Sequence, residues 1–315
     1  MSLHILRKAT RRWVAVFLLS AALVPVTTAS AQPTPPQDQA KVQPQAAEDA
    51  AIVVTGTSMR EQLEVIRDYV DGLTIAVSYD PLARYASDSY CPAVLGLSPS
   101  RNDEIATRMR AVAKAAGVQP AASGCRTSAL VMFVDDKESF LTAFRRKHPV
   151  YFSDLRRTHG RFPPREKGPA TAWHLVATLD PQGTPVERTG LGPTIVASPM
   201  RGSRILSMVT QVVAMSVVII ERGALVGLTS TQIADYALMR TLTDRSLKAP
   251  DVPGQFTILR ALTTPKGSAV PLSLTRWDLA YLEGRYSGHP ARYGPGQRAA
   301  IAQRLRRAAK QSEGN

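Results

Sequence analysis

A chain of 315 residues, 44% of them hydrophobic, carries enough apolar side chains for one large or two small cores, which excludes a wholly disordered protein. Its 39 Lys and Arg stand against 25 Asp and Glu, a net charge of +14 that points to polyanionic surroundings. With two cysteines and no histidine beside either in sequence, a tetrahedral metal site built on thiolates is excluded.

The first residues, MSLHILRKATRRW, hold Arg7, Lys8, Arg11 and Arg12 without an acid and run into VAVFLLSAALVPV and TTASA. A basic stretch, a short apolar run and small residues at Ala29 and Ala31 are the parts of a signal peptide, and cleavage is expected after Ala31. The apolar run falls short of the roughly 20 residues that a bilayer span needs. The pair Arg11-Arg12 also fits a twin-arginine export signal. Cleavage removes four basic residues and no acid, so the mature chain keeps +10. Outside the cytosol the available polyanions are lipid headgroups, lipopolysaccharide and acidic glycans, and nucleic acid is not an expected partner. An oxidising compartment is expected to join Cys91 to Cys125, closing a loop of roughly 30 residues that contributes about 4 kcal/mol by chain entropy.

Residues 32–50, QPTPPQDQAKVQPQAAEDA, lack aromatic residues and abound in Pro, Gln and Ala, the composition of a disordered tether. From Ser58 the pattern turns helical, with Met59, Leu63, Ile66 and Val70 on one face. CPAVLGLS predicts a short strand, Pro99 and Ser100 a turn, and RNDEIATRMRAVAKAAG a helix with Ile105, Met109, Val112 and Ala116 buried and Gly117 as its stop. ALVMFVDD predicts a buried strand, and KESFLTAFRRKH a helix ended by Pro149. Strand, helix, strand, helix is the pattern of a crossover on a mixed sheet.

The stretch 153–170 is basic and broken by prolines, so a loop is expected; AWHLVATLD predicts a further strand and PQGTPVERTGLGP another loop. In RILSMVTQVVAMSVVII the polar residues Ser207, Thr210, Gln211 and Ser216 favour a buried strand or hairpin over a span. Thr229 and Gln232 have the spacing of a capping box ahead of TQIADYALMRTL, a helix with one buried face. FTILRAL is a short apolar element. Ser273 is the expected cap of LTRWDLAYLEGRY, in which Asp278 holds a helix or accepts from Tyr or Arg. GQRAAIAQRLRRAAK is a basic amphipathic helix, in which Arg298, Arg304, Arg306, Arg307 and Lys310 surround Ile301 and Leu305; the charge suits an anionic envelope lipid or glycan.

Two resemblances rest on the last third of the chain. IERGALVGLTSTQIADYALM resembles the active-site helix and methionine turn of metzincin-type zinc proteases, with Glu221 at the general base, Gly227 at the glycine and Met239 near the methionine. PLSLTRWDLAYLEGRYSG is similar to the segment that follows in that family, through Leu272, Ser273, Asp278, Tyr286 and Gly288, with Arg285 in place of a leucine. The resemblance implies a zincin fold, but the three ligand positions hold Ile220, Ala224 and Ser230, which leaves no zinc site there. The pattern GLT-x-x-Q-x-ADY-x-x-M followed by LT-x-WD-x-x-x-L-x-x-x-Y is also similar to short exported alphaproteobacterial proteins without an assigned function. That likeness implies location and no chemistry.

No G-x-S-x-G elbow, phosphate-binding loop or dinucleotide fingerprint is present. His148, His159, His174 and His289 are not at helical ligand spacing. The expected fold is α/β, with α+β as a variant: one compact domain over 51–292 with a mixed sheet and a βαβ crossover, followed by a basic helix over 293–315. A metal-free zincin-like fold is the alternative. The expected function is a non-catalytic binding or structural role in the periplasm or envelope, without cofactor or metal. The alternative is a degenerate zincin-like or other hydrolase, for which Asp135, Asp136 and Glu221 are the candidate residues.

Overall fold

A computed structural model describes residues 59–74, 80–152, 166–186, 203–243, 254–265 and 267–313. The expected signal peptide with Ala29 and Ala31, the expected tether, most of the basic stretch 153–170 and His159 lie outside the described residues. Those described fall within one compact unit. The order is α1 (Met59–Leu73), β1 (Pro92–Leu95), α2 (Pro99–Ala115), β2 (Ala129–Val134), α3 (Lys137–Lys147), β3 (Ala170–Leu179), β4 (Thr210–Glu221), α4 (Ser230–Leu242), α5 (Arg276–Tyr286) and α6 (Gly294–Glu313). Among the described residues no helix is long and apolar enough to cross a membrane.

The four strands form one mixed α/β sheet in the order β1-β2-β4-β3. β1 and β2 run parallel, β2 and β4 run parallel, and β3 closes the other side antiparallel to β4. The parallel pair β1 and β2, joined through α2, is the crossover expected from the alternation of strand and helix. Both faces of the sheet are covered, which is why VVII reads as a continuous apolar run and not as an alternation. Val131, Phe133, Val218 and Ile220 pack with α1, α2, α4, α5 and α6. Met132, Val134, Val217 and Ile219 face the opposite way, against Leu141 and Phe144 of α3 and the Phe152–Trp173 stack.

Several helix boundaries differ from the sequence expectation, each for a local reason. Pro99 is the first residue of α2 and not part of a preceding turn, because a proline at that position lacks only an N–H that has no partner inside the helix. The cap of α5 is Thr275, not Ser273: Thr275 accepts from Asp278 N–H while the Asp278 carboxylate accepts from Thr275 N–H. Three residues after Ser273 stands Arg276, which cannot reciprocate. The capping box of Thr229 and Gln232 forms at α4 as its spacing predicts. Yet α4 does not bury one face only; every residue from Gln232 to Leu242 is buried, because the helix lies between α2, the sheet and the turn Ile258–Arg260.

The polar residues of α4 therefore need partners. Fully buried Asp235 takes a two-pronged ion pair from Arg108 of α2 at 2.9 Å. Arg240 reaches both oxygens of buried Glu166 at 2.8 and 2.6 Å and donates to Tyr236 Oη at 2.8 Å. Asp278, also fully buried, accepts from Tyr69 Oη at 2.6 Å, Thr257 Oγ1 at 2.8 Å and Ile258 N at 2.9 Å. The basic helix α6 belongs to this same core: Ile301 and Leu305 are fully buried, and Gly284 of α5 lets the two helices touch, since a Cβ there would stand 2.8 Å from Ile301 Cα.

Candidate functional site

At the carboxyl end of the parallel strands the structure brings together the three acids singled out in the sequence. Val134 and Glu221 are register partners across β2 and β4, and Asp135 and Asp136 follow Val134 directly. Each acid already has a structural task. Asp136 caps α3 by accepting from Ser139 N at 2.7 Å, and Glu221 accepts from Lys137 N at 3.1 Å. Asp135 pairs with the Arg222 guanidinium, whose Nη1 also reaches the carbonyl oxygens of Gly96 and Phe133 at 2.9 and 3.3 Å. Arg222 thus ties the ends of β1, β2 and β4. Hydrogen bonds from Arg222 and from Ser139 hold the carboxyls of Asp135 and Asp136 below the usual range, so both are ionised at neutral pH and neither is poised to give up a proton.

The residues of the metzincin-like stretch fall on three different elements. Ile220 is buried in β4, Glu221 ends that strand, Ala224 sits in the 3-10 turn Arg222–Leu225, and Ser230 opens α4. Among the described residues no group of three or more His, Cys, Asp or Glu is placed to hold a metal ion. His174 lies on β3, with its Nε2 sealed from solvent. Burial, and next the Arg285 charge, push it down to about 3, so it is neutral under ordinary conditions.

The other end of the sheet holds a pocket that the sequence did not disclose. β4 extends beyond the N-terminal end of β2, and there Arg84 takes the place of a neighbouring strand. Its N–H donates to Gln211 O at 3.1 Å, its carbonyl accepts from Val213 N at 3.0 Å, and it forms a parallel bridge with Val212. Around this bridge is a pocket of about 380 Å³, at the small end of the range typical of small-molecule sites. Tyr85, Val118, Val212, Tyr286 and Pro290 provide apolar surface; Arg84, Ser87, Gln119, Thr210 and Gln211 provide polar groups.

Four separate segments build these walls, and each is fastened. Tyr85 is buried, its hydroxyl donating to Ser128 O at 2.9 Å and meeting Ser216 Oγ at 2.6 Å. Gly117 ends α2 in a left-handed conformation, φ +83, which directs the chain into Val118 and Gln119. Those residues lie within the loop closed by the disulfide Cys91–Cys125, and Arg110 lies against it, 3.0 Å from Cys125 Sγ. The expected pairing of the two cysteines is therefore present, and it braces a wall of the pocket.

Among the described residues Arg84 is the only charged one in the lining. Among the described residues its guanidinium meets carbonyl oxygens alone, Tyr286 O at 3.5 Å and Gly288 O at 3.3 Å, and no carboxylate. Burial lowers the guanidinium below its usual range, and the neighbouring charge of Arg285 adds to that. Gln211, 8% exposed, accepts from Thr178 Oγ1 at 3.2 Å, while its Nε2 has no partner among the described residues.

None of these residues was expected from the sequence. Residues 80–90, DPLARYASDSY, show neither helical nor strand periodicity, and a loop of this kind is where function concentrates; its lone arginine followed by Tyr85 and Tyr90 was the available signal. The five basic residues of α6 divide differently than expected. Arg298 pairs with Asp71 and Arg304 with Glu283, which leaves Arg306, Arg307 and Lys310 exposed. Comparison with protein-family models, with curated proteins and with solved structures finds no match, and the pocket's own residues carry what can be said of its chemistry.

Proposed function

We propose that this chain is an exported, non-catalytic binding protein whose ligand is a small molecule held in the Arg84 pocket. The observation that carries the proposal is the pocket itself: about 380 Å³, with no Asp, Glu, His, Cys or Lys among the described residues of its lining. Hydroxyls of Ser87, Thr210 and Tyr286 are present there, but no general base accompanies them, so the lining suits recognition better than group transfer. Export is supported by the signal-like residues 1–31 and by a disulfide of the sort that persists in oxidising compartments.

Two measurements test the proposal. The mature protein from its native envelope should begin at Gln32 and, when denatured, release a small molecule seen by mass spectrometry. Val212→Trp fills the pocket from β4, and the same preparation of that variant should release none. A full-length chain kept in the cytosol would overturn the export half. An unchanged small-molecule yield from Val212→Trp, or none from the parent protein, would overturn the binding half.

A further inference from the structure

Resting on that reading of the pocket, we infer that the ligand is a carboxylate monoanion with a flat apolar body. Charge comes first. Among the described residues the lining holds one cation and no acid, and a second guanidinium, Arg285, stands close enough to act on Arg84 through space. Arg285 itself is buried, with Nη2 given to Ala83 O and Nη1 3.5 Å from Tyr281 Oη. Two like charges with one of them facing the pocket make an anion the natural occupant.

The bonds that Arg84 now makes are easily exchanged. They run from 3.3 to 3.5 Å and end on neutral carbonyl oxygens, whereas a guanidinium and a carboxylate settle at about 2.7 to 2.9 Å with two parallel bonds. Turning toward a carboxylate therefore gives up weak contacts for strong ones. Gln211 of the same lining is nearly buried, and its Nε2 has no partner among the described residues.

Geometry selects carboxylate over phosphate. A phosphoryl group has three or more oxygens and usually a second negative charge, and proteins meet it with several cations, a helix N-terminus or a glycine-rich backbone nest. Here the described lining provides one guanidinium, whose planar fork matches the two oxygens of a carboxylate, with only the neutral polar groups of Ser87, Gln119, Thr210 and Gln211 beside it. The remaining surface is apolar: Tyr85, Val118, Val212, Tyr286 and Pro290 fit an aryl ring or a short hydrocarbon body, and the volume excludes a lipid or a peptide of any length.

The test uses the mature, disulfide-bonded protein and three probes: benzoate, its neutral isostere benzamide, and inorganic phosphate. Binding is followed by calorimetry and by ligand-observed NMR at concentrations up to about 10 mM, enough to see a millimolar dissociation constant. Benzoate is expected to bind at least about tenfold more tightly than benzamide, the size of effect that a charge-assisted pair supplies. Phosphate should neither bind nor displace it. Arg84→Met should lose at least about tenfold in benzoate affinity, with Arg84→Lys intermediate, because a point charge remains without the fork.

Equal binding of benzamide and benzoate in the parent protein overturns the anionic inference and leaves the small-molecule pocket standing; this arm needs no variant, so a misfolded Arg84→Met cannot obscure it. Displacement by phosphate overturns the choice of carboxylate. Failure of benzoate to bind overturns the inference as well, while the mass-spectrometric comparison with Val212→Trp decides separately whether the pocket binds anything.

Discussion

The two ends of the parallel strands are built on opposite plans. At the carboxyl end every acid is already engaged: Asp136 in a helix cap, Glu221 on Lys137 N–H, Asp135 on an arginine that clamps three strand ends. At the amino end an arginine is held loosely by carbonyls beside an amide donor with no described partner. Open α/β sheets usually place ligands at the carboxyl ends of their strands. Here that end is closed by its own side chains, and the open site lies roughly 30 Å away along β4, at about 3.3 Å per residue. Proximity of acids in space is thus a poor guide to a site until their hydrogen bonds have been counted.

The comparison can be broken most severely at the amino end by removing the disulfide. Replacing Cys91 and Cys125 by Ala frees a loop with a sequence separation of 34, at an expected cost of about 4 kcal/mol in denaturant unfolding. The same variant should show faster amide exchange at residues 117–119, which wall the pocket, and unchanged exchange at Asp135 to Ser139. Uniform exchange throughout would mean that the disulfide does not brace the pocket in particular.

The next largest effect belongs to the carboxyl end. Gly96 has φ +100, and a Cβ there would overlap the carbonyl of Phe133. Gly96→Ala should cost about 3 kcal/mol or more, combining left-handed strain with a backbone collision, and it should leave benzoate binding at the far end unchanged. A loss of binding greater than the loss of folded protein would show that the two ends are coupled.

The smallest effect is the loss of the Asp136 cap. Because the folded-state carboxyl is depressed by its bonds to Ser139, its contribution is present above the unfolded value and lost as the pH falls through the folded one. Asp136→Ala should therefore lower stability at neutral pH by less than either change above and flatten the acid limb of stability against pH below about 4. An acid limb identical to that of the parent would remove the cap from the account.

Most of the secondary structure was legible because its signals are local. The stripe Ile105, Met109, Val112 marked α2, the run ALVMFV marked β2, and Thr229 with Gln232 marked the start of α4. What was illegible depends on partners distant in sequence. Nothing near α4 announces that its polar side would be buried, since Arg108 and Glu166, which compensate Asp235 and Arg240, come from other parts of the chain. The pocket escaped for the same reason, being assembled from residues 84–87, 117–119, 210–212, 286 and 290. Asp135, Asp136 and Glu221 were legible only as candidate residues; that they meet at one sheet end, and their capping and clamping roles, required the β2–β4 pairing and the positions of Ser139, Lys137 and Arg222 in space.

The pairing of residues 69–82 with α5 and α6 has a consequence in time. Leu82 N–H finds its acceptor in Gln297, 215 residues downstream, Asp71 meets Arg298 across 227 residues, and Tyr69 donates to Asp278 across 209. Contacts this distant are the costliest to close early in folding. A nascent chain has made α1 long before the helices that cover it exist, so the domain cannot settle until translation has passed residue 305. Synthesis itself therefore keeps the growing polypeptide open until its last helices have been made.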